Sequence, residues 1–187
     1  MKDVSADYSR LLLAEPIPGM GLAYDEFLQE FVAAGEEGIL HHLPEGDEDA
    51  ADLIRRLINR SKGIDLPDGW VPCTAYWLMS GNGALLGEIH IRHRLTPALE
   101  DYGGHIGYMV RPTQRRKGYA TKMLALALEK AGELGLARVM ITCDPANIAS
   151  ASVIQRNGGI LLDESVAGAG RLTSRYWIDL RQSVNAL

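Results

Sequence analysis

VRPTQRRKGYATKML, residues 110–124, joins an apolar run to a long amphipathic one. Upstream, Gly104 to Val110 has the composition of a strand. Downstream, from about Gly118 to Leu134, the residues Met123, Leu124, Ala127, Leu128, Ala131 and Leu134 keep the i, i+3, i+4, i+7 rhythm of a helix, which Gly135 ends. The first turn of a helix offers backbone N–H groups without partners and a partial positive charge. A phosphate seated there accepts several hydrogen bonds at once. Gly118 lets the backbone curl so that consecutive N–H groups converge, and the small Ala120 permits close approach. Arg115, Arg116 and Lys117 add long-range attraction. On charge alone a solvated basic loop is the simpler reading; the glycine and the helix start are what point to an anion. The pattern lacks the earlier glycine of a nucleotide P-loop and the spaced glycines of a dinucleotide fingerprint.

Working outward, the spacing predicts strands at Thr74 to Met79 and Ala84 to His93, joined by the turn Gly81-Asn82-Gly83. A loop containing Pro97 leads to the strand that ends at Val110. After the long helix come a strand from Ala137 to Cys143, a helix from Asn147 to Asn157, and strands at Gly159 to Leu162 and Arg175 to Leu180. Val166 to Gly170 reads as a glycine-rich loop. On the N-terminal side, Leu11 to Leu13 forms a brief strand before Pro16 and Pro18. Two amphipathic helices follow: Tyr24 to Ala34, stopped by Gly35, and one capped by Asp49 that runs through Leu53, Ile54, Leu57 and Ile58 to Gly63. HHLPEGDEDA, residues 41–50, is an acidic loop between them. The order predicts one α/β domain over residues 1–187, with a mixed, mostly antiparallel sheet and helices on both faces.

The 187 residues carry 47% hydrophobic and 23% charged side chains, the balance of an ordinary globular domain. The net charge of −5 divides unevenly. Residues 1–70 hold 15 acidic and 6 basic side chains (−9), and residues 71–187 hold 9 acidic and 13 basic (+4). Such an acidic chain is a poor nucleic-acid binder, and a local basic cluster within it suits one specific anion. No run approaches the roughly 20 apolar residues of a membrane helix. The start, MKDVSADYSR, is not that of a secretory signal. Cys73 and Cys143 lack metal-ligand spacing, so two reduced thiols in a cytoplasmic protein are expected. His90 and His93, three apart in a strand, face opposite sides, which argues against a metal site with His105.

The order Arg115-Arg116-Lys117-Gly118-Tyr119-Ala120, after a strand ending Val-Arg-Pro, resembles the pyrophosphate loop of GNAT-type N-acetyltransferases. The flanks carry the likeness further: a strand ending Ile141-Thr142-Cys143, then Asn147 opening a helix. The resemblance covers about residues 74–164. It implies a central strand pair that splays apart around the acyl arm, with acetyl-CoA as cosubstrate. It also implies that the backbone of Val110 and the side chain of Asn147 hold the pantetheine arm. Arg115, Arg116, Lys117, Gly118, Tyr119 and Ala120 then cradle the pyrophosphate, and Thr121 adds a hydroxyl. Asn147 serves equally as the N-cap of its own helix.

Acyl transfer to an amine needs oxyanion stabilisation, a proton for the leaving thiolate and a neutral amine. Where many family members place a tyrosine acid, seven residues after the asparagine, this chain has Ile154. Ser150, on the same helix face, Ser152 and Tyr176 are alternative donors, as is solvent; Ser150 also falls beside the expected cofactor path. For the base, His105 is the nearest titratable group, and Glu88 and His90 share a face of the preceding strand. Arg92, Arg94, Arg171 and Arg175 could recognise an anionic group of the substrate or form surface ion pairs. The expected activity is acetyl transfer from acetyl-CoA to a primary amine, on a small molecule or a protein, by direct attack. A non-catalytic acyl-CoA sensor is the competing reading, and a homodimer is compatible with either.

Overall fold

The computed structural model describes residues 10–36, 48–167 and 170–180. Strands β1 (Leu12–Ala14), β2 (Cys73–Met79), β3 (Leu85–Arg92) and β4 (Ile106–Val110) pair in that order, each antiparallel to the next. Alternation divides their side chains between two faces. Ala75, Trp77, Met79, Leu85 and Met109 point to one face, beneath helices α1 (Gly21–Ala33) and α2 (Ala50–Ser61). Tyr76, Leu78, Ile89, Ile91 and Ile106 point to the other, beneath Met123, Leu124, Ala127 and Ala131 of α4 (Tyr119–Glu133). Asp49 caps α2 as expected: its carboxylate accepts from the N–H groups of Ala51 and Asp52, each at 2.9 Å. Such a cap contributes about 1 kcal/mol.

A second sheet has the order β5 (Arg138–Cys143), β7 (Arg171–Asp179), β6 (Ile160–Ala167), again antiparallel. Helix α5 (Ile148–Arg156) packs its buried Ile154 into the core shared with α4. The sheets meet where β4 runs beside β5. The His105 N–H donates to the Met140 carbonyl at 2.7 Å, and the Met140 N–H donates to His105 Nδ1 at 2.9 Å. Gly104 makes this approach possible. It lies in the left-handed region (φ 61°), and a Cβ there would stand 2.6 Å from the Met140 oxygen. From this junction β4 and β5 run on in separate sheets, so the expected splay opens toward Val110 and Cys143.

Two local readings change. Pro97–Asp101 is a short helix, α3, whose N-cap Thr96 accepts from the Leu99 N–H at 3.3 Å; Thr-Pro at a helix start was a usable signal. The closing strands are also longer than expected. β6 runs to Ala167 and β7 begins at Arg171, so Val166 lies in a strand and residues 168–169 fall outside the described ones. The polar run Asp163-Glu164-Ser165 hid this hairpin, because β6 is an edge strand with little apolar alternation. Its polarity is used across the ladder: Arg175 grips Asp163 at 2.7 and 2.6 Å, and the Ser174 hydroxyl donates to Glu164 at 2.9 Å. The acidic stretch 41–47 also lies outside the described residues.

His105 is therefore a structural acceptor in the sheet junction. Burial, then the cations of Arg92 and Arg138, hold its pKa at about 4. A neutral imidazole with Nδ1 occupied has no lone pair left to take a proton from a substrate. Because the folded pKa lies below the ordinary 6.5, the unfolded chain takes up the proton first as pH falls. The contribution is complete above pH 6.5 and is lost between 6.5 and about 4. Urea unfolding should show up to about 3 kcal/mol of acid-side loss in the native chain. His105→Asn, which keeps an acceptor but does not titrate, should lose less; coincident pH profiles would refute this role.

Candidate active site

The basic loop is built by its backbone. After β4, residues Pro112–Gln114 form a 3-10 turn, Arg116 adopts φ 64°, and Gly118 adopts φ 76° as the N-cap of α4. Two left-handed residues so close together turn successive N–H groups toward one concavity. For Arg116 that conformation costs about 1–2 kcal/mol, strain of the kind concentrated at binding sites. No side chain caps α4, and the first-turn N–H groups find no acceptor within a helix. An anion fits here because the end of the 15-residue helix is left open.

The cations divide their work. Arg115 donates to both carboxylate oxygens of Glu36, at 2.8 and 2.5 Å, and through Nε to the Val110 carbonyl at 3.2 Å. Its guanidinium also lies over the Phe31 ring, at 5.8 Å. Arg111 pairs with Glu30 at 2.7 Å, and Thr113 donates its hydroxyl to the same carboxylate at 2.9 Å. The end of α1 thus clamps the loop, and Arg115 is spent on that clamp. Lys117 donates to Gln114 at 2.8 Å. Among the described residues Arg116 makes no ion pair, which leaves its charge available to a phosphate.

The ladder also orients Val110. The Arg111 N–H donates to the Leu86 carbonyl at 2.9 Å, so Gly87 and Val110 form a non-hydrogen-bonded pair. The N–H of Val110 consequently faces away from β3, into the gap toward β5, as a backbone donor to a ligand must. On the far wall Asn147 caps α5, accepting from the Ser150 N–H at 3.0 Å. Its side-chain NH2 makes no hydrogen bond among the described residues, so capping and ligand binding are compatible. Thr121 opens α4, and its carbonyl accepts from Asn157 Nδ2 at 3.2 Å, tying the end of α5 to the start of α4.

A cluster of hydroxyls closes the mouth of the splay. Tyr108 of β4 reaches across to α5, its Oη 2.9 Å from Ser150 Oγ. Burial pushes the Tyr108 pKa up to about 12, against a lowering by Ser150. Tyr176 of β7 is buried in the same core and is likewise raised by burial. Cys143, opposite Ser174 in the ladder, interacts electrostatically with both tyrosines and with Glu164 of β6. Ile154 is wholly buried in the same apolar core and has no proton to donate. Tyr108 and Glu164 were missed because they stand in different strands and no motif links them.

Glu88 lies elsewhere. It is fully buried beneath α1, accepting from Trp77 Nε1 at 2.9 Å, with His90 Nε2 2.7 Å from its other oxygen. The structure thus sets Ser150 against Tyr108, and places Tyr176 near Cys143 and Ser174 of the second sheet. Glu88 sits under the α1–α2 layer, and His105 in the sheet junction. Of the candidate arginines, Arg92 donates to the Gly103 and Gly104 carbonyls, Arg171 to Tyr102 Oη, and Arg175 binds Asp163. All three brace loops or strands. Among the described residues no group of three His, Cys, Asp or Glu could hold a metal, and no helix is long and apolar enough to cross a membrane.

No protein of curated function matches the sequence significantly. Among solved structures, RimL, the ribosomal L7/L12 alpha-N-protein acetyltransferase in complex with coenzyme A, is similar with a TM-score of 0.68. That match is 16% identical and covers 94% of this chain and 97% of RimL. A GNAT-family acetyltransferase from Bacillus anthracis has a TM-score of 0.60 at 21% identity, with 92% and 96% covered. The microcin C7 self-immunity acetyltransferase MccE, in complex with acetyl-CoA and AMP, has a TM-score of 0.65 at 15% identity, with 95% and 99% covered. Identities this low show a shared fold. The family model of the acetyltransferase (GNAT) domain matches residues 22–160, from α1 to the first residue of β6. The chain therefore belongs to the GNAT acetyltransferases, enzymes that use acetyl-CoA as the acetyl donor.

Proposed function

We propose that this enzyme acetylates a primary amine by direct attack within the splay between β4 and β5. Acetyl-CoA supplies an activated acetyl thioester. The observation that carries the reading is the convergence of three features on one gap: the outward N–H of Val110, the uncapped start of α4 and the Tyr108–Ser150 pair. Gly118, Ala120, Thr121 and Arg116 would hold the pyrophosphate, with Lys117 and Tyr119 flanking, and Asn147 the pantetheine arm. The Val110 N–H is the donor for developing negative charge on an acyl oxygen. Tyr108 stays protonated at neutral pH and is hydrogen-bonded to Ser150, so the pair can release a proton toward a thiolate and recover it from solvent. Glu164, exposed on β6 and within the field of Cys143 and Tyr176, is the carboxylate suited to receive the amine proton. Tyr176, from the opposite sheet, is the second hydroxyl at the mouth.

Structural neighbours act on a protein alpha-amine, as RimL does, or on spermidine, as the SpeG chimera from Vibrio cholerae is named for. Both kinds of acceptor suit the reading. Cys73 and Cys143 are unpaired, which fits the cytoplasmic location proposed with it. An acyl-CoA sensor remains the competing reading because Ile154 stands where the usual acid would, but the hydroxyl pair supplies another source of the proton. A panel of amines with detection of released coenzyme A and of acylated product decides between them. Product from any amine supports the enzyme; binding without product from a broad panel supports the sensor.

Two variants test the parts. Gly118→Val forces a branched residue into the left-handed region and should abolish thermal stabilisation by coenzyme A, which for the native chain at 100 times Kd is worth about 2.7 kcal/mol. Retained stabilisation would move the phosphate site elsewhere. Tyr108→Phe should lower kcat about 100-fold while leaving KM for acetyl-CoA within about threefold, the usual scale for a lost general acid. Tyr176→Phe should cost less. A Tyr108→Phe enzyme with native kcat would remove Tyr108 from the mechanism.

A further inference from the structure

Helix α5 is tied to its neighbours by different side chains at its two ends. Near its start, Ser150 Oγ lies 2.9 Å from Tyr108 Oη of β4. At its end, the C-cap residue Asn157 donates from Nδ2 to the Thr121 carbonyl of α4 at 3.2 Å and to the Val153 carbonyl of α5 at 2.9 Å. Both partners are carbonyls, which only accept, so the amide nitrogen faces them and both its protons are used. Among the described residues no other side chain of α5 or its caps hydrogen-bonds α4.

The local sequence prepares Asn157 for this reach. Ile154, three residues earlier and therefore on the same side of the helix, is wholly buried in the core shared with α4. Gly158 takes φ 84° and turns the chain, and the Gly159 N–H returns to the Ile154 carbonyl at 3.0 Å. A Cβ at Gly159 would stand 2.8 Å from that same oxygen. Asn-Gly-Gly at 157–159 thus closes α5 tightly against α4, and a single side chain spans to the first turn of the longer helix.

Through α5 this link couples the two helix starts that the proposed function assigns to the two halves of acetyl-CoA, the pyrophosphate at α4 and the pantetheine arm at Asn147; the inference rests on that reading. With nine residues, α5 is roughly 13 Å long at about 1.5 Å per residue. A tilt of about 5° around the Asn157 anchor would carry Asn147 and Ser150 by about 1 Å over that length. Such a shift breaks a hydrogen bond of ordinary length, and in an active site it can cost about 100-fold in rate. We propose that Asn157 is a positioning residue: by holding the Thr121 carbonyl it fixes the angle of α5 on α4. It thereby sets the separation between the basic loop and the Asn147–Ser150 end of the helix. That separation is matched to a ligand carrying a diphosphate and a pantetheine arm a fixed distance apart. Asn157 does not touch the ligand in this role and acts through Asn147.

The test uses the full chain and coenzyme A alone, with Kd measured by titration calorimetry, so it does not require the acceptor. Asn147→Ser keeps a helix cap and removes the amide donors. That variant and Asn157→Ala should each weaken binding about fivefold, the scale of one lost hydrogen bond. Combined, they should weaken it by less than about 10-fold, whereas independent effects would multiply to about 25-fold. Asn157→Ala combined with Arg116→Ala, at the α4 end, should instead reach the product of the single effects within about twofold. Asn157→Asp has the same size without N–H donors and should repeat the Asn157→Ala result; it decides if circular dichroism shows Asn157→Ala unfolded. Native affinity in the folded Asn157 variants, or a full product with Asn147→Ser, overturns the proposal. Equal coupling to Arg116→Ala indicates a generally softened fold and overturns it as well. If Asn147→Ser alone binds like the native chain, the pantetheine assignment has failed, and the positioning role falls with it.

Discussion

Two hydrogen bonds between His105 and Met140, 2.7 and 2.9 Å long, set where the two sheets join and therefore where they part. Strands that stayed paired along their length would satisfy each other's backbone and leave no room for a ligand. Here the pairing is confined to one end. Gly104 brings the chains close there, and Gly103 adds a hydrogen bond to Thr142 Oγ1 at 3.0 Å. The remaining length of β4 keeps its outward N–H groups in the gap. The histidine is conspicuous in this role because it acts through both its backbone and its ring.

The uneven charge of the chain acquires a structural meaning beside this gap. Glu30 and Glu36, near and just past the end of α1, bind Arg111 and Arg115 of the basic loop. Part of the N-terminal acidity thus neutralises part of the C-terminal basicity. The clamp fixes the loop on the first sheet and holds the Val110 carbonyl through Arg115, while Arg116 makes no ion pair among the described residues. Individually such partly exposed pairs are worth little. Their value is geometric, since they hold a strained loop in one conformation.

Most of the fold was legible because its signals are local. The periodicity of Met123, Leu124, Ala127 and Ala131 gave α4, Asp49 gave the start of α2, and the glycine turn gave the β2–β3 hairpin. The parts that escaped lack such signals. The length of β6 depends on Asp163 and Glu164 finding Arg175 and Ser174 across the ladder, and polarity alone reads as a loop. Glu88 and His105 were reasonable as titratable groups near a motif. Whether such a group meets a substrate depends on which face and which layer covers it, and both proved to be covered.

For this chain, the sequence by itself determined the family, the basic loop and the helix it opens, because a helix start suited to an anion requires only adjacent residues: Gly118, Ala120 and the basic run. Tertiary structure alone decided which side chains stand near the gap beside that loop. Tyr108, Ser150, Tyr176 and Glu164 come from β4, α5, β7 and β6, and nothing in the order of residues says that they converge. Binding of the phosphate is a property of a segment, whereas proton transfer is a property of side chains brought within about 3 Å of each other by the packing of several.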